Sequence, residues 1–502
     1  MKVKIKLFYL LLPLCIFILG LLIRIFLVYK ITIYPDDINF YSISLLTRFR
    51  EIISLKYWAI DYPQGYFLIT RLLILLSKDV LFLKVLNLMF YIISSILLYK
   101  LGRRLFNDKL VSLFPLALFS SSQFLTGIDI SLNPYPFSFT LSIALIYMFI
   151  GLVDKFSLRK AIFFGLLITF STFVSYALFF VIFALLISLI LFTWKNPSNK
   201  KQYVRIAIIL FISTIPSIFQ LFQIIHLFSA LSLYPSSLLE AARDYINSPL
   251  KQIMILPPVY FILPLFVLFF LPRQKKVTVN KTKYFLIPLG ILISSIISLV
   301  IMERLGLNIS TRLFFAFHLG VILLVSFLAN KNSLFKQIII YIILISFIGN
   351  IHFILERKTN KQTFEKIAKE MLTECSDPQT FYIIDSSNYY FYPLYHYYIP
   401  FSPYKTQKQY ECILGHTSVF DTSTKQPLKN LPKSKTTSSY YFINLNQTGS
   451  MANNFISLCR DSTCYIFNAR LERFENVNDK FSPEKSSLEK EYLNNLIIDE
   501  YP

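Results

Sequence analysis

"LLIRIFLVYKITIYPDDINFY", Leu21–Tyr41, joins the first apolar run of the chain to its first long polar loop. An arginine, Arg24, lies inside the apolar run. Two adjacent aspartates, Asp36 and Asp37, follow just past its end, in a chain with only 28 Asp and Glu against 50 Lys and Arg. A charge inside a bilayer-spanning run is costly and marks a pairing or a function. Whether this run crosses a membrane therefore decides both the fold and the reading of the acids. Upstream it continues back to "MKVKIKLFYLLLPLCIFILG". That stretch is too long for the apolar core of a signal peptide, and no small-x-small cleavage site follows it. It reads as a retained first helix.

Outward from this joint the composition points the same way. The chain is 55% hydrophobic and only 16% charged, with a mean hydropathy of +0.55. Soluble domains carry about 25% charged residues. The apolar excess is confined to 7–355, in runs of about the 20 residues a bilayer requires. They fall at 7–28, 80–99, 111–128, 135–153, 160–174, 176–194, 204–225, 252–271, 284–302, 312–329 and 336–354, about 11 helices. A polytopic membrane domain over 1–355 and a smaller soluble domain over 356–502 are expected.

Basic residues alternate across these spans. One side receives Lys2, Lys4 and Lys6, then Lys100, Arg103, Arg104 and Lys109, then Lys155, Arg159 and Lys160. The same side receives Lys195, Lys200, Lys201 and Arg205, the cluster Arg273–Lys283, and Lys331 with Lys336. The short loops of the other side hold little beyond Arg243 and Arg304. By the positive-inside rule the N-terminus is cytoplasmic, and an odd span count places the C-terminal domain outside. The net charge of +22 is thus spent on topology and on anionic lipid headgroups rather than on nucleic acid. The location expected is the plasma or inner membrane.

The first outer loop, 29–79, breaks the pattern: it is long and carries both signs, and long loops escape the rule. Apolar residues recur at Ile38, Tyr41, Leu45, Phe49, Ile52 and Ile53, a helical period suited to the membrane interface. A second segment, Tyr62–Ser77, is nearly long enough to span. Crossing there would put Arg103 and Arg104 outside, so it reads as a second interfacial or re-entrant helix. Asp36 and Asp37 start the first of these helices. A helix N-cap explains one acid. Neighbouring helical residues point in different directions, which leaves the other to face a cavity.

The order of these features resembles the GT-C glycosyltransferases, in the subgroup of the protein O-mannosyltransferases and the lipid A aminoarabinose transferases. The matching residues are Leu22 and Arg24, then the acidic pair Asp36–Asp37, then Tyr41. Aspartate stands at Asp37 where the family usually has glutamate. "DYPQGYFLI" is similar to a His-Pro-Pro-aromatic segment but keeps only Pro63 and the aromatics, and "YKLGRRLF" resembles the family's cytoplasmic Gly-Arg-Arg turn.

The resemblance implies transfer of a sugar from a polyprenyl-phosphate donor to an acceptor hydroxyl on the outer face, with inversion. The acceptor is a glycan, lipid or protein, and the surroundings are membrane lipids. Such chemistry needs a carboxylate base and stabilisation of the leaving phosphate. By the resemblance Asp36 is the base, Asp37 orients or caps, and Asp129, in the next outer loop, is a further acid. Arg24, Tyr41, Lys56, Arg243 and His226 are the candidate substrate-binding residues. For Arg24 the plain alternative is snorkelling to headgroups; for Arg243 it is a local ion pair with Glu240 or Asp244. Arg304 and Arg312 flank the last outer loop and suit the same phosphate. Around His226 no two His or Cys have metal-ligand spacing, so no metal or other cofactor is expected to be obligatory, although a divalent ion is compatible. A lipid-linked sugar transporter or flippase is the alternative. It would tend to show broken helices or mid-membrane charges and paired inverted repeats, whereas the sequence shows no clear internal repeat and its acids lie at the outer interface rather than mid-span.

The C-terminal stretch shows strand-like runs in "TFYIID", "SYYFINLN" and "STCYIFNAR", and a small extracytoplasmic α/β domain is expected. Cys375, Cys412, Cys459 and Cys464 lie there, an even number that permits two disulfides outside the cytoplasm. The tyrosine-rich run that begins at Ser386 reads first as edge strand and packing, and second as a surface for sugar rings.

Overall fold

The computed structural model describes residues 2–30, 37, 41, 44, 64–77, 80–175, 177–195, 197–231, 239, 241–243, 245–246, 282–304 and 311–356, together with six strands between 380 and 476. At 2–10, at 217–231 and in the strands it describes the backbone. The chain divides into two compact units, Met1–Lys30 with Phe40–Arg357, and Ile31–Asn39 with Lys358–Pro502.

The first unit is helical. In chain order its helices are α1 Lys2–Lys30, α2 Gln64–Ile74, α3 Val80–Leu105, α4 Phe114–Ser121, α5 Gln123–Asp129, α6 Tyr135–Asp154, α7 Leu158–Val174, α8 Leu178–Lys195, α9 Lys200–Leu231, α10 Leu286–Arg304, α11 Phe315–Lys331 and α12 Ser333–Glu356. Helices occupy ten of the eleven expected span positions; the eleventh, 252–271, lies outside the described residues. Among the described residues, 5 helices are long and apolar enough to cross a membrane, or up to 7 if each bent pair is one span. In a bilayer the backbone has no water to bond, so helices satisfy it internally, and the apolar runs fold accordingly.

α2 has 11 residues, about 16 Å at helical rise and roughly half a hydrocarbon core. It packs on α7 through Gly65, where a Cβ would lie 2.5 Å from the Phe173 carbonyl oxygen. Of the stretch expected to form the first interfacial helix, Tyr41 and Ser44 in this unit and Asp37 in the other are described, and each is helical and buried.

α1, α4 and α12 pack on one another, and α4 also meets α3 and α11. α4 is therefore the hub of this part of the unit, and its contact face is apolar: Phe114, Leu116, Ala117 and Phe119 are buried. Gly20 lets α1 approach closely, since a Cβ there would lie 2.8 Å from the Ser120 Cβ and would overlap the Tyr91 hydroxyl. Gly102 does the same beside the Ser112 carbonyl. Small residues at such contacts are how membrane helices gain packing area.

The rim that the charge pattern assigns to the cytoplasm is fastened by acid–base pairs. Arg104 donates to Asp154 at 3.0 Å and to the Tyr147 carbonyl at 3.3 Å, and Tyr284 donates to the same Asp154. Asp108 pairs with Lys336 and accepts the Leu110 and Val111 N–H groups at 2.8 and 3.2 Å. The Gly-Arg-Arg turn is thus a packing and pairing corner.

In the second unit the strands are β1 Thr380–Asp385, β2 Thr417–Phe420, β3 Ser439–Asn444, β4 Phe455–Arg460, β5 Thr463–Asn468 and β6 Arg473–Asn476. They form one mixed sheet in the order β2-β1-β3-β4-β5-β6. β1 is parallel to both β2 and β3, and β3 to β6 are antiparallel neighbours. The strands form where aromatic and β-branched residues are dense, as in "SYYFIN", because such side chains suit a pleated surface. Cys459 and Cys464 are directly opposed in the β4–β5 register. Cys375, Cys412 and the helices expected in this part of the chain lie outside the described residues.

Candidate active site

The centre of the helical unit is a break in a helix. α4 and α5 are bent by 59° about Ser122, whose backbone is extended at φ −64° and ψ 119°. An extended residue ends the hydrogen-bond ladder, and the last carbonyls of α4 are left without helical partners. In a bilayer such groups need other donors. The Ser122 side chain caps the new helix by accepting the Leu125 N–H at 3.2 Å. Asn350, on α12, donates to the Ser121 carbonyl at 2.8 Å.

Arg24 takes the carbonyls of Ser120 and Phe119, the latter shared with the Ser122 N–H at 3.3 Å. From α1 its Nη1 donates to Ser120 O at 3.1 Å and to Gly20 O at 3.2 Å, and its Nη2 donates to Phe119 O at 3.3 Å. Its Nε donates to the Asp129 carboxylate at 2.6 Å. The side chains are 0% and 3% exposed. The guanidinium also lies over the rings of Tyr91, at 4.1 Å, and Phe119, at 5.2 Å, where each ring's negative face attracts it. Phe17, Tyr91, Phe119 and Phe139 stack in a column at spacings of 5.9, 5.2 and 4.9 Å. The Tyr91 hydroxyl donates its one proton to the Phe17 carbonyl at 3.1 Å, so Ser120 donates to it at 2.9 Å. The planar fork and delocalised charge of arginine suit this combination of stacking and multiple donation, and lysine would not replace it.

Asp129 ends α5, and the turn beyond it is tightly fixed. Asn133 is buried and accepts the Tyr135 N–H at 2.9 Å. Asn87 donates to Ser131 O at 2.6 Å. Thus Arg24 ties the ends of both halves of the broken helix to α1.

A second polar chain meets the break from another side. The His318 ring, at the start of α11, is bonded at both nitrogens: Nε2 to Ser122 Oγ at 3.0 Å and Nδ1 to the Tyr245 hydroxyl at 2.6 Å. Phe124, Phe314 and Phe317 surround Tyr245 with centroids 5.0, 5.0 and 6.1 Å away. Burial pushes the Tyr245 phenol above its ordinary value, so it stays a neutral hydrogen-bonding group.

The structure thus brings Arg24 and Asp129 together. Asp37 and Tyr41 are helical and buried, and each has interaction partners. Arg243 is exposed, two residues from Tyr245, and Arg304 is exposed at the end of α10. Asp36 and Lys56 lie outside the described residues, as do the side chains of His226 and Arg312, although their backbones are helical. Among the described residues no group of three His, Cys, Asp or Glu is placed to hold a metal ion.

Residues 61–219 match the sequence profile of the dolichyl-phosphate-mannose-protein mannosyltransferase family. The match covers just under a third of the 502 residues. It begins just before α2, runs into α9, and includes the break, Asp129 and Tyr91. It supports a membrane glycosyltransferase of the GT-C type, and the apolar helices make the protein an integral membrane protein. No curated protein matches the chain.

Tyr91, Phe119, Asn350, His318 and Tyr245 do not stand out in the sequence as site residues. Two left a trace. Asn350 interrupts an apolar run, and His318 is one of only 5 histidines and lies inside an expected span. A polar side chain in such a run is a pairing signal.

Proposed function

We propose that the protein moves a sugar from a polyprenyl-phosphate donor to an acceptor hydroxyl at the outer face of the membrane, in one inverting displacement. The family match over 61–219 carries this reading. The matched family's name gives a lipid-phosphate-linked mannose and a protein acceptor; for this chain the sugar and acceptor are left at the level of class. In the step, the acceptor oxygen attacks the anomeric carbon while the bond from that carbon to the phosphate oxygen breaks. The polyprenyl phosphate leaves with the electron pair, and the acceptor proton passes to a carboxylate.

Asp36 is the base in this reading and Asp37 its orienting neighbour; the burial of Asp37 supports a role inside the protein. Asp129 enters as the counter-charge of Arg24. With four hydrogen bonds to protein and no exposed surface, Arg24 suits a brace better than a phosphate binder. The phosphate contact then falls to an exposed cation, and Arg243 is the candidate.

The test is radiolabelled transfer from a panel of polyprenyl-phosphate sugars in membranes, with wild type beside Asp36→Asn and Asp37→Asn. Transfer from one donor is expected, with a loss of about 100-fold or more in Asp36→Asn, the scale of a general base. Full activity in Asp36→Asn removes that residue from the mechanism. Absence of transfer from every donor, with folded wild-type protein, moves the assignment to a lipid-linked sugar flippase.

A further inference from the structure

Tyr245 belongs to a short helical piece in the stretch between α9 and α10, described at Leu239, Ala241–Arg243, Tyr245 and Ile246. Its hydroxyl bonds His318 Nδ1, and His318 Nε2 bonds Ser122 at the α4–α5 break. Both tautomers of neutral histidine complete the chain. In one, Tyr245 donates to Nδ1 and Nε2–H donates to Ser122. In the other, Ser122 donates to Nε2 and Nδ1–H donates to Tyr245. Ser122 still accepts the Leu125 N–H in either case. Residues two apart on a helix point roughly opposite ways. Drawing Tyr245 inward against Phe124 and Phe314 therefore turns Arg243 outward, and Arg243 is exposed.

We propose that Tyr245, His318 and Ser122 form a latch that holds this outer piece on the α4–α5 break, and that the latch positions Arg243 to meet the phosphate of the lipid-linked donor. The donor part rests on the transferase reading above; the latch itself does not. Tyr245 and His318 are positioning residues, since neither touches the reacting atoms in this scheme. The break is the natural anchor: its capping serine is already held by α5, and the neighbouring carbonyls are held by Arg24 and Asn350. An outer segment fastened there is fastened to a point already held by Arg24 and Asn350.

The experiment uses the full chain in lipid nanodiscs, with Tyr245→Phe and His318→Gln. Tyr245→Phe keeps the ring among its aromatic neighbours and removes only the hydroxyl. Amide hydrogen exchange in peptides covering 239–246 is expected to speed up about 3- to 10-fold, the population change that one hydrogen bond supports. The KM for the polyprenyl-phosphate sugar is expected to rise by a similar factor, about 3- to 10-fold, while kcat holds. Arg243→Gln should raise KM without changing exchange. Unchanged exchange in both latch variants overturns the latch. Faster exchange with an unchanged KM in active enzyme overturns its link to the donor. If the wild type transfers nothing, the transferase reading and the donor link fail together, and exchange alone decides the latch.

Discussion

Two Arg–Asp pairs in the helical unit make the same bond and do different work. Arg24 and Asp129 meet at 2.6 Å with side chains 0% and 3% exposed; Arg104 and Asp154 meet at 3.0 Å with side chains 28% and 33% exposed. The buried pair joins residues 105 apart in sequence, and the guanidinium is further held by three carbonyls and two rings. At the rim, water competes for every contact, and Tyr284 shares the same aspartate. Burial, more than bond length, sets what each pair contributes. Desolvating two charges is costly, so a buried pair persists only where its remaining groups are satisfied, and removing one partner then leaves an uncompensated charge. An exposed pair is worth about 0–1 kcal/mol.

The largest effect expected is at Asp129. Asp129→Leu leaves Arg24 buried without its counter-charge and should destabilise the protein by about 3–5 kcal/mol. The companion double variant, Arg24→Met with Asp129→Leu, removes both charges and should recover a substantial part of that loss, because isolated apolar replacements of buried pairs are often tolerated. Recovery will be incomplete, since the Ser120 carbonyl loses the Arg24 donor and the Phe119 carbonyl keeps only the Ser122 N–H at 3.3 Å. Thermal unfolding in detergent measures both. Equal destabilisation of the single and double variants would show that the carbonyls, rather than the charge, need Arg24.

How much of this was legible in the sequence follows from the same physics. Apolar runs and alternating basic loops are strong, additive signals, so ten expected spans coincide with helices. The isolated Arg24 and the acid Asp129 were each visible as exceptions in apolar surroundings. Their union was not, because nothing in the spacing of residues 105 apart specifies contact. The sequence offers a phosphate or the lipid headgroups as partners for Arg24, and the structure adds the Asp129 carboxylate. The 59° bend at Ser122 was hidden for a related reason. It lacks a proline or glycine at the break, and a serine in "SSSQFL" looks like any small polar residue in a membrane helix. His318 and Tyr245 gain meaning only from the fold that brings them to that serine.

An intermediate effect should appear at Asp108, where burial is asymmetric: the aspartate side chain is 4% exposed and Lys336 is 15% exposed. One carboxylate oxygen caps the Leu110 and Val111 N–H groups, and the other pairs with Lys336. Asp108→Ala removes both functions and should cost about 2 kcal/mol. Asp108→Asn keeps the capping oxygen and gives up the charge, so about half of that loss is expected. Urea or thermal titration separates the two substitutions. Equal losses would assign the whole effect to the ion pair and none to the cap.

The smallest effect tests the exposed side of the comparison. Arg104→Gln removes the pair to Asp154 and the contact over the Tyr147 ring at 5.3 Å. Asp154 keeps its bond from Tyr284, so no charge is left stranded, and the aspartate can regain water. The expected loss is at most about 1 kcal/mol. Because the pair lies where ions reach it, the difference between wild type and variant should shrink as salt is raised. The Arg24–Asp129 difference should not, since ions scarcely reach a pair with side chains only 0% and 3% exposed. Unfolding of both sets at low and high salt checks this. A salt-insensitive loss of several kcal/mol at Arg104 would mean that its guanidinium works mainly through the Tyr147 carbonyl and ring. The rim pair would then be a second brace, and the division between the two regions would be one of place rather than of physics.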